Sequence, residues 1–352
     1  MRHIIFGESH GPAIGVVLEG VPAGLPMDLD FIGEELKRRA PGQNALSTAR
    51  KEADQVRLLS GVFEGKTTGA PLCAVIENTD TRSKDYEKLR YLPRPSHADY
   101  TGQIRYEGNN DYRGGGHFSG RLTAPLVFAG AVAKLYLHTK GITVCSHIRE
   151  IGGVVDFPPD PATFEVEDFL AVAQKEFPVF SNVQGEKMQA AILNAKSDGD
   201  SVGGVVTGAV FGLSPGLGGP DLNDTVEGAI ARQMFAVPAV KGIEFGAGFS
   251  LARMRGSTAN DPFEMRGDGT VGTKTNHSGG VNGGITNGMP LLFSVVLRPT
   301  PSIGRKQETV NLKTKENAEL TIEGRHDPCI VHRAVPVIEA AAALAVCEIM
   351  GV

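Results

Sequence analysis

Histidine, aspartate and arginine side chains recur in short clusters that are rich in glycine or proline. The first cluster, at 6–12, holds His10 on a bend between a serine and a glycine, where the ring can face a cavity or bond to nearby backbone. The second, at 94–100, holds His97 two residues before Asp99. That carboxylate can orient the imidazole for proton transfer, and a solvated ion pair between the two is the alternative.

The third and fourth clusters lie directly before apolar segments. The third, at 111–121, has three consecutive glycines, so backbone N–H groups, arginines and a helix N-terminus can form an anion site; a flexible glycine tract is the alternative. The fourth, at 324–329, contains Asp327 and precedes Arg333, or is an ordinary charged loop. Together the clusters indicate anion binding combined with proton transfer. No Ser/His/Asp order, metal-ligand spacing or pair of glutamates specifies hydrolysis.

Two glycine motifs resemble nucleotide-binding loops without the context that such loops require. The segment at 61–67 is one residue too short between its glycines for a P-loop, and the GxGxxG at 267–272 follows no apolar strand. The glycine- and asparagine-rich segment at 276–288 differs from both. Its glycine density lets the backbone reach a flat or phosphate-bearing ligand without intervening side chains.

The composition is that of an ordinary globular chain. Of 352 residues, 41 % are hydrophobic and 21 % charged, which argues against overall disorder. The net charge of -5 disfavours a nucleic-acid partner, so affinity for anions must come from local arginine and histidine clusters. Four widely spaced cysteines without a CxxC pair predict reduced thiols and no metal site. Without a signal peptide or an uncharged apolar stretch of ~18 residues, the sequence predicts a cytoplasmic protein with no membrane span.

Two segments, 123–139 and 334–350, are apolar on nearly all sides, which predicts helices that are buried on nearly all sides. Each still carries an internal charge, Lys134 in the first and Glu339 in the second. Further helices are expected at 28–39, 164–176, 182–197 and 224–235, and strands at 16–18, 56–62, 72–76, 202–213 and 291–297. Residues 78–120 read as a long polar loop, a kind of segment that is usually functional. Because no run of βαβ units appears, the pattern predicts an α+β fold over 1–352, a single domain in which antiparallel sheets cover buried helices.

The clusters, taken in order, resemble the chorismate synthase family over nearly the whole chain. The motifs that carry the resemblance are GESHG at 7–11, RPSHADYT at 94–101, YRGGG at 112–116, AVKGIEFG at 239–246, NHSGG, GGI and G within 276–288, RPTPSI at 298–303, GRHDPC at 324–329 and RAVP at 333–336. Each motif is weak alone, but their combination and order are highly specific.

The resemblance implies a reaction and a cofactor. Members of the family convert 5-enolpyruvylshikimate 3-phosphate, a phosphorylated dicarboxylate, to chorismate by 1,4-elimination of phosphate in the shikimate pathway. They require reduced FMN although the reaction has no net redox change, and NADPH serves some of them as the reductant. The resemblance also implies a β-α-β sandwich and a homotetramer.

Roles for individual residues follow from the same resemblance. His10 and His97 would donate protons, and Asp327 would relay one. The implied substrate-binding residues are Ser9, Arg39, Arg50, Arg94, Arg121 and Arg333. The implied flavin-binding residues are His117, Phe118, Ser119, Ala239, Gly283, Arg298, Pro299, Thr300, Pro301, Ser302 and Arg325.

Several positions depart from the family pattern. His117-Phe118-Ser119-Gly120-Arg121-Leu122 stands where Arg-Ser-Ser-Ala-Arg-Glu is common. Pro238 replaces an asparagine, Ala45 an arginine, and Arg298 a lysine. These departures predict weakened contacts to the flavin phosphate and to NADPH. The alternatives are an NADPH-dependent flavin oxidoreductase and a non-catalytic flavin-binding protein on the same fold.

Overall fold

The computed structural model describes residues 1–42, 46–47, 54–79, 88–158, 165–173, 175–219, 221, 224–322 and 326–352. Within them the strands are β1 (Arg2–Gly7), β2 (Ala13–Glu19), β3 (Val56–Ser60), β4 (Val62–Phe63), β5 (Lys66–Thr67), β6 (Leu72–Glu77), β7 (Thr143–Ile151), β8 (Val154–Val155), β9 (Gly204–Phe211), β10 (Val240–Phe245), β11 (Phe263–Met265), β12 (Val271–Thr273), β13 (Val281–Asn282), β14 (Ile285–Thr286), β15 (Leu291–Leu297), β16 (Gln307–Asn311) and β17 (Glu316–Leu320). The α-helices are α1 (Leu29–Arg39), α2 (Asp99–Arg105), α3 (Thr123–His138), α4 (Val166–Ala173), α5 (Asn182–Ser197), α6 (Val226–Ala236), α7 (Gly256–Ala259) and α8 (Val331–Ile349). Short 3₁₀ segments cover Lys88–Arg90, Arg113–Phe118, Gly120–Leu122 and Gly248–Arg253.

Two antiparallel sheets enclose the helices α3 and α8. One sheet has the strand order β1-β2-β6-β3, and the other has the order β10-β15-β9-β7-β8. Helix α3 packs on β2 and β6, α8 packs on β7 and β9, and the two helices pack on each other. One hydrophobic cluster joins residues of both sheets and both helices. The predicted α+β class, with buried helices covered by antiparallel sheets, is confirmed, whereas the assignment of 1–352 to one domain stays a prediction.

The helices and strands that the sequence predicts are present within a few residues of their expected bounds. Asp28 caps α1, accepting a hydrogen bond from the backbone N–H of Phe31 at 2.9 Å, and α1 ends at Arg39 as expected. Strand β15 matches its expected bounds. The two nucleotide-like motifs form the hairpins β4–β5 and β11–β12, and neither is followed by the helix that a nucleotide loop requires. None of the described helices is long and apolar enough to cross a bilayer.

The sequence did not predict several strands, among them β1, β7, β10, β16 and β17. The residues of β1 alternate between exposed and half-buried positions and follow the chain start without a turn signal. The segment at 78–120 was read as a loop, but it contains α2 and several 3₁₀ turns. Helix α2 has only seven residues and no side-chain cap, so its sequence carries little helical signal.

A buried network of four charges connects α1, α3 and α8. The Lys134 ammonium donates to Glu35 and Glu339, each at 2.5 Å, and Arg38 binds both oxygens of Glu339 at 2.8 and 2.9 Å. Arg38 also bonds to Glu35 at 2.6 Å, so two cations and two anions balance. Burial favours a raised pKa for Glu339, but Arg38 and Lys134 outweigh it and hold the pKa at about 2. The internal charges of the two apolar helices therefore pair with each other, which fixes how these helices face α1.

Close approach of α3 and α8 depends on Gly130. A Cβ atom at this position would lie 2.2 Å from both Cα and Cβ of Ala340 on α8. Because Ala340 Cα belongs to the backbone, no side-chain rotation relieves the contact. The small residue at this crossing lets the central helices pack closely.

We expect Gly130→Ala to lower the free energy of unfolding by ~1–3 kcal/mol, because the added methyl overpacks the helix crossing. Gly33→Ala on the exposed face of α1 is the matched control, since a Cβ there meets nothing within 4 Å. The control should gain up to ~1 kcal/mol from helix propensity. Urea unfolding of both variants measures the difference. Equal stability of the two variants would show that the crossing is not tightly packed.

Candidate active site

The triple-glycine loop at 114–116 lies against both candidate histidines. Its three residues have φ values of 57°, 83° and 56°, which favour glycine. A Cβ on Gly114 would lie 2.2 Å from Nδ1 of His10, and one on Gly115 would lie 3.0 Å from Cε1 of His97. The loop therefore packs between the two rings, an arrangement that favours an ordered site over a flexible glycine tract.

His97 is oriented by Asp99, the first residue of α2. Its Nδ1 lies 2.6 Å from Asp99 Oδ1, and the two side chains are 15 % and 9 % exposed, so this is not a solvated ion pair. Arg94 donates to the same carboxylate from Nε at 2.7 Å and from Nη2 at 2.8 Å. Burial lowers the pKa of His97, and the nearby Arg94 lowers it further against the opposing effect of Asp99. Burial favours a raised pKa for Asp99, but Arg94 and His97 hold it well below its usual range.

Arg94 links this histidine to a cavity. Its Nη1 donates to Ser302 Oγ at 3.1 Å. The adjacent cavity, of about 330 Å³, is lined by Pro95, Ser96, Asp200, Ser201, Arg298, Pro299, Thr300, Pro301, Ile303 and Gln307. Three of these residues have a buried polar atom without a hydrogen-bond partner: Nε of Arg298, Oγ1 of Thr300 and Nε2 of Gln307. Since buried polar groups are normally satisfied, the cavity fits a polar ligand that supplies their partners.

A second group of residues places two arginines on one buried carboxylate. Asp54 accepts from Arg39 Nη2 at 2.6 Å through Oδ2, and from Arg121 Nη1 through Oδ1. Both guanidinium side chains are 3 % exposed and that of Asp54 is 1 % exposed. Burial lowers the pKa of Arg39 to about 10; Asp54 opposes this effect, while Arg333 and Arg121 reinforce it.

Arg333 and Asp327 join this group at the start of α8. Arg333 Nη1 donates to Asp327 Oδ2 at 2.6 Å, and its Nε donates to the backbone oxygen of Arg39 at 3.0 Å. Three helix ends therefore meet here: the C-terminus of α1 and the N-termini of α3 and α8. His332, the residue before Arg333, has both ring nitrogens buried without a hydrogen bond. Burial and then Arg333 lower its pKa to about 4.

The residues at 117–119, which the family motifs assign to flavin binding, contact the first cluster, α2 and Arg121. His117 Nδ1 is 2.9 Å from the backbone oxygen of Gly7, while the Phe118 ring packs on α2, 6.2 Å from that of Tyr106. Ser119 accepts a hydrogen bond from the Arg121 backbone N–H at 3.3 Å.

Ala239 and Gly283 belong to the region expected to bind flavin. Ala239 adopts φ 73°, a strained value for a residue with a Cβ, and accepts from the Arg298 backbone N–H at 3.0 Å. Gly283 forms the turn of the hairpin β13–β14, and no hydrogen bond among the described residues joins it to the histidines or arginines. Arg50, Arg325 and Ala45 lie outside the described residues, whereas Pro238 lies in the exposed turn after α6.

Sequence reasoning missed three residues of this site: Asp54, Asn78 and Gln307. Asn78 follows β6 and accepts a hydrogen bond from Arg121 Nε at 3.0 Å. Buried arginines require acidic partners, so the sequence implies a carboxylate beside them. It does not show which of the many acidic residues that carboxylate is. Asn78 and Gln307 stand in segments without any motif, and only their contacts identify them.

Comparison with known proteins identifies the fold and the family. A solved structure titled "Crystal Structure of Chorismate Synthase" superposes with a TM-score of 0.76 at 30 % identity, covering 99 % of this chain and 90 % of that one. The fold is thus that of a solved enzyme structure, with the same β-α-β architecture.

The family model for chorismate synthase matches residues 1–350. The chorismate synthase of Korarchaeum cryptofilum is 46 % identical over 354 residues, which cover 99 % of this chain and 95 % of that protein. The one from Methanocaldococcus jannaschii is 44 % identical over 357 residues, 99 % and 94 % of the two chains. The chain therefore belongs to the chorismate synthase family. The resemblance read from the motifs is confirmed, and so is the classification as an enzyme, a lyase of the shikimate pathway.

Proposed function

We propose that this enzyme converts 5-enolpyruvylshikimate 3-phosphate to chorismate and phosphate by 1,4-elimination, with reduced FMN bound. The observation that carries the proposal is the joint packing of His10 and His97 against one glycine loop, beside buried arginines. An eliminated phosphate needs a proton donor and a cationic site, and this arrangement offers both. A pure flavin-binding module has no use for two aligned histidines.

The arginines suit a substrate with several negative charges. The described candidates Arg39, Arg94, Arg121 and Arg333 each donate to one of three carboxylates, Asp54, Asp99 and Asp327. A bound phosphorylated dicarboxylate would supply further acceptors, and guanidinium groups bind phosphate and carboxylate in a bidentate manner. Ser9, whose buried hydroxyl has no hydrogen-bond partner, is a further candidate for a substrate oxygen.

The cavity beside Arg94 is the proposed flavin site. Its unsatisfied polar atoms on Arg298, Thr300 and Gln307 suit the acceptor groups of FMN. Residues 298–302, with Ala239, would hold the cofactor, and the assignment of His117 to Ser119, Gly283 and Arg325 rests on the family motifs. Bound reduced FMN would supply transient electron density to the substrate without net redox change. The homotetramer, the cytoplasmic location and the weak use of NADPH stay predictions.

Proton transfer falls to three residues. The hydrogen bond between His97 Nδ1 and Asp99 leaves Nε2 on the side of Gly115, where that Cβ position is 3.2 Å from it. Burial lowers the pKa of His97, and an arriving phosphate dianion would raise it and so favour the charged form that donates a proton. His10 would be the second donor. Asp327, held by Arg333, would accept the proton released from the substrate ring.

The direct test is anaerobic incubation of the protein with photoreduced FMN and 5-enolpyruvylshikimate 3-phosphate. We expect equal amounts of phosphate and chorismate, many turnovers per flavin, and none with oxidised FMN. Tight FMN binding without phosphate release would contradict the proposal and favour the non-catalytic alternative. Steady NADPH oxidation without phosphate release would instead favour the flavin oxidoreductase.

We expect His10→Ala and His97→Ala each to lower turnover by ~10²–10⁴, because each removes a general acid. His138→Ala is the matched control, since His138 is exposed at the end of α3, and it should keep normal turnover. The measurement is kcat for phosphate release, with thermal unfolding to verify that each variant is folded. Near-normal kcat in both site variants would mean that the donors lie elsewhere.

A further inference from the structure

The turn that carries Ser9 and His10 is held at both ends by one side chain. The Gly11 backbone N–H donates to the Glu8 oxygen at 3.0 Å, which makes Ser9 and His10 the central residues of a β-turn. The Asn78 amide nitrogen donates to the Glu8 oxygen at 3.0 Å and to the Gly11 oxygen at 2.9 Å. The first and last residues of the turn are therefore fixed to the same amide group.

The other end of this amide faces the arginine group. Oδ1 of Asn78 accepts from Nε of Arg121 at 3.0 Å, while Nη1 of Arg121 is bound to Asp54. A carboxamide offers two donors and an acceptor on one planar group, which no other side chain of this length provides. Asn78 thus connects the candidate proton donor His10 to a candidate substrate arginine through three hydrogen bonds.

The pairing of the sheet does not by itself explain why an asparagine side chain stands at position 78. Its backbone N–H already donates to the Pro12 oxygen at 3.1 Å, which extends the pairing of β2 and β6 beyond Glu77. The pairing of β2 and β6 is therefore complete without a hydrogen bond from the Asn78 side chain. What the side chain adds is the position of the turn relative to Arg121.

We propose that Asn78 is a positioning residue, which sets His10 at a fixed place relative to the anion that Arg121 binds. The inference rests on the proposed function, because it assigns the donor and the anion to one reaction. Misplacement of a catalytic group by about 1 Å costs ~10²-fold in rate. Loss of the connection should therefore appear in turnover more than in substrate affinity.

Asn78→Asp separates the two ends of the connection. The carboxylate still accepts from Arg121 but repels the oxygens of Glu8 and Gly11, so the turn loses its anchor while the arginine keeps its partner. We expect kcat for phosphate release to fall ~10- to 100-fold. KM and the calorimetric Kd for substrate should rise together but by a smaller factor, because the added carboxylate repels an anionic substrate. Asn109→Asp is the matched control, because Asn109 also donates to two backbone oxygens, those of Tyr106 and Glu107, at 3.2 and 3.3 Å. Both kcat and KM should be normal in this control.

A second variant, Asn78→Ser, removes both ends of the connection without adding a charge, so kcat should fall and KM should rise. This variant decides the question if Asn78→Asp does not fold. Normal kcat in either folded variant, or a rise in KM alone, would overturn the positioning role. A parent enzyme that releases no phosphate would instead overturn the proposed function, so the two failures are distinguishable.

Discussion

Buried arginines require a counter-charge, and this requirement organises the site. Arg39 and Arg121 share the carboxylate of Asp54, Arg94 is held by Asp99, and Arg333 is held by Asp327. An unpaired guanidinium at such depth would cost several kcal/mol. The aspartates therefore do more than neutralise, because each fixes its arginine in one direction. A polyanionic substrate then meets a site whose cations are already in place.

The same requirement ties the site to the helix layer. Arg39 ends α1, Arg121 lies two residues before α3, and Arg333 lies in the first turn of α8. The relative positions of these three helices are set by the buried Glu35–Arg38–Lys134–Glu339 network and by the close crossing at Gly130. Charge pairing in the core thus determines where the arginines of the site converge. The packing of the helices and the placement of the site arginines therefore both depend on buried ion pairs.

The sequence revealed what is encoded locally. The apolar composition of 123–139 and 334–350 was enough to predict two buried helices, and the GESHG and RPSHADYT motifs identified His10 and His97. The pairing of His97 with Asp99 was also accessible, because the two residues are two apart. What the sequence did not reveal is contact between distant segments.

Asp54 shows why. It is the acidic partner of Arg39 and Arg121, 15 and 67 positions away, and adopts φ 47°, a backbone value that no local pattern predicts for aspartate. Asn78 likewise gains its importance only when Arg121, 43 residues later, folds against it. Helix α2 was not predicted because its seven residues, without a side-chain cap, carry little local helical signal.

The measurement that tests the central claim most directly is the calorimetric Kd of 5-enolpyruvylshikimate 3-phosphate for Asp54→Asn. If Asp54 fixes Arg39 and Arg121 for the anion, Kd should rise ~10- to 100-fold, since hydrogen bonds to charged groups contribute ~1.5–3 kcal/mol each. Asp156→Asn is the control, because Asp156 is also a buried carboxylate but binds the backbone N–H groups of Phe180 and Ser181, at 2.7 and 2.9 Å. Its Kd should equal that of the parent. An unchanged or lower Kd in folded Asp54→Asn would contradict the account.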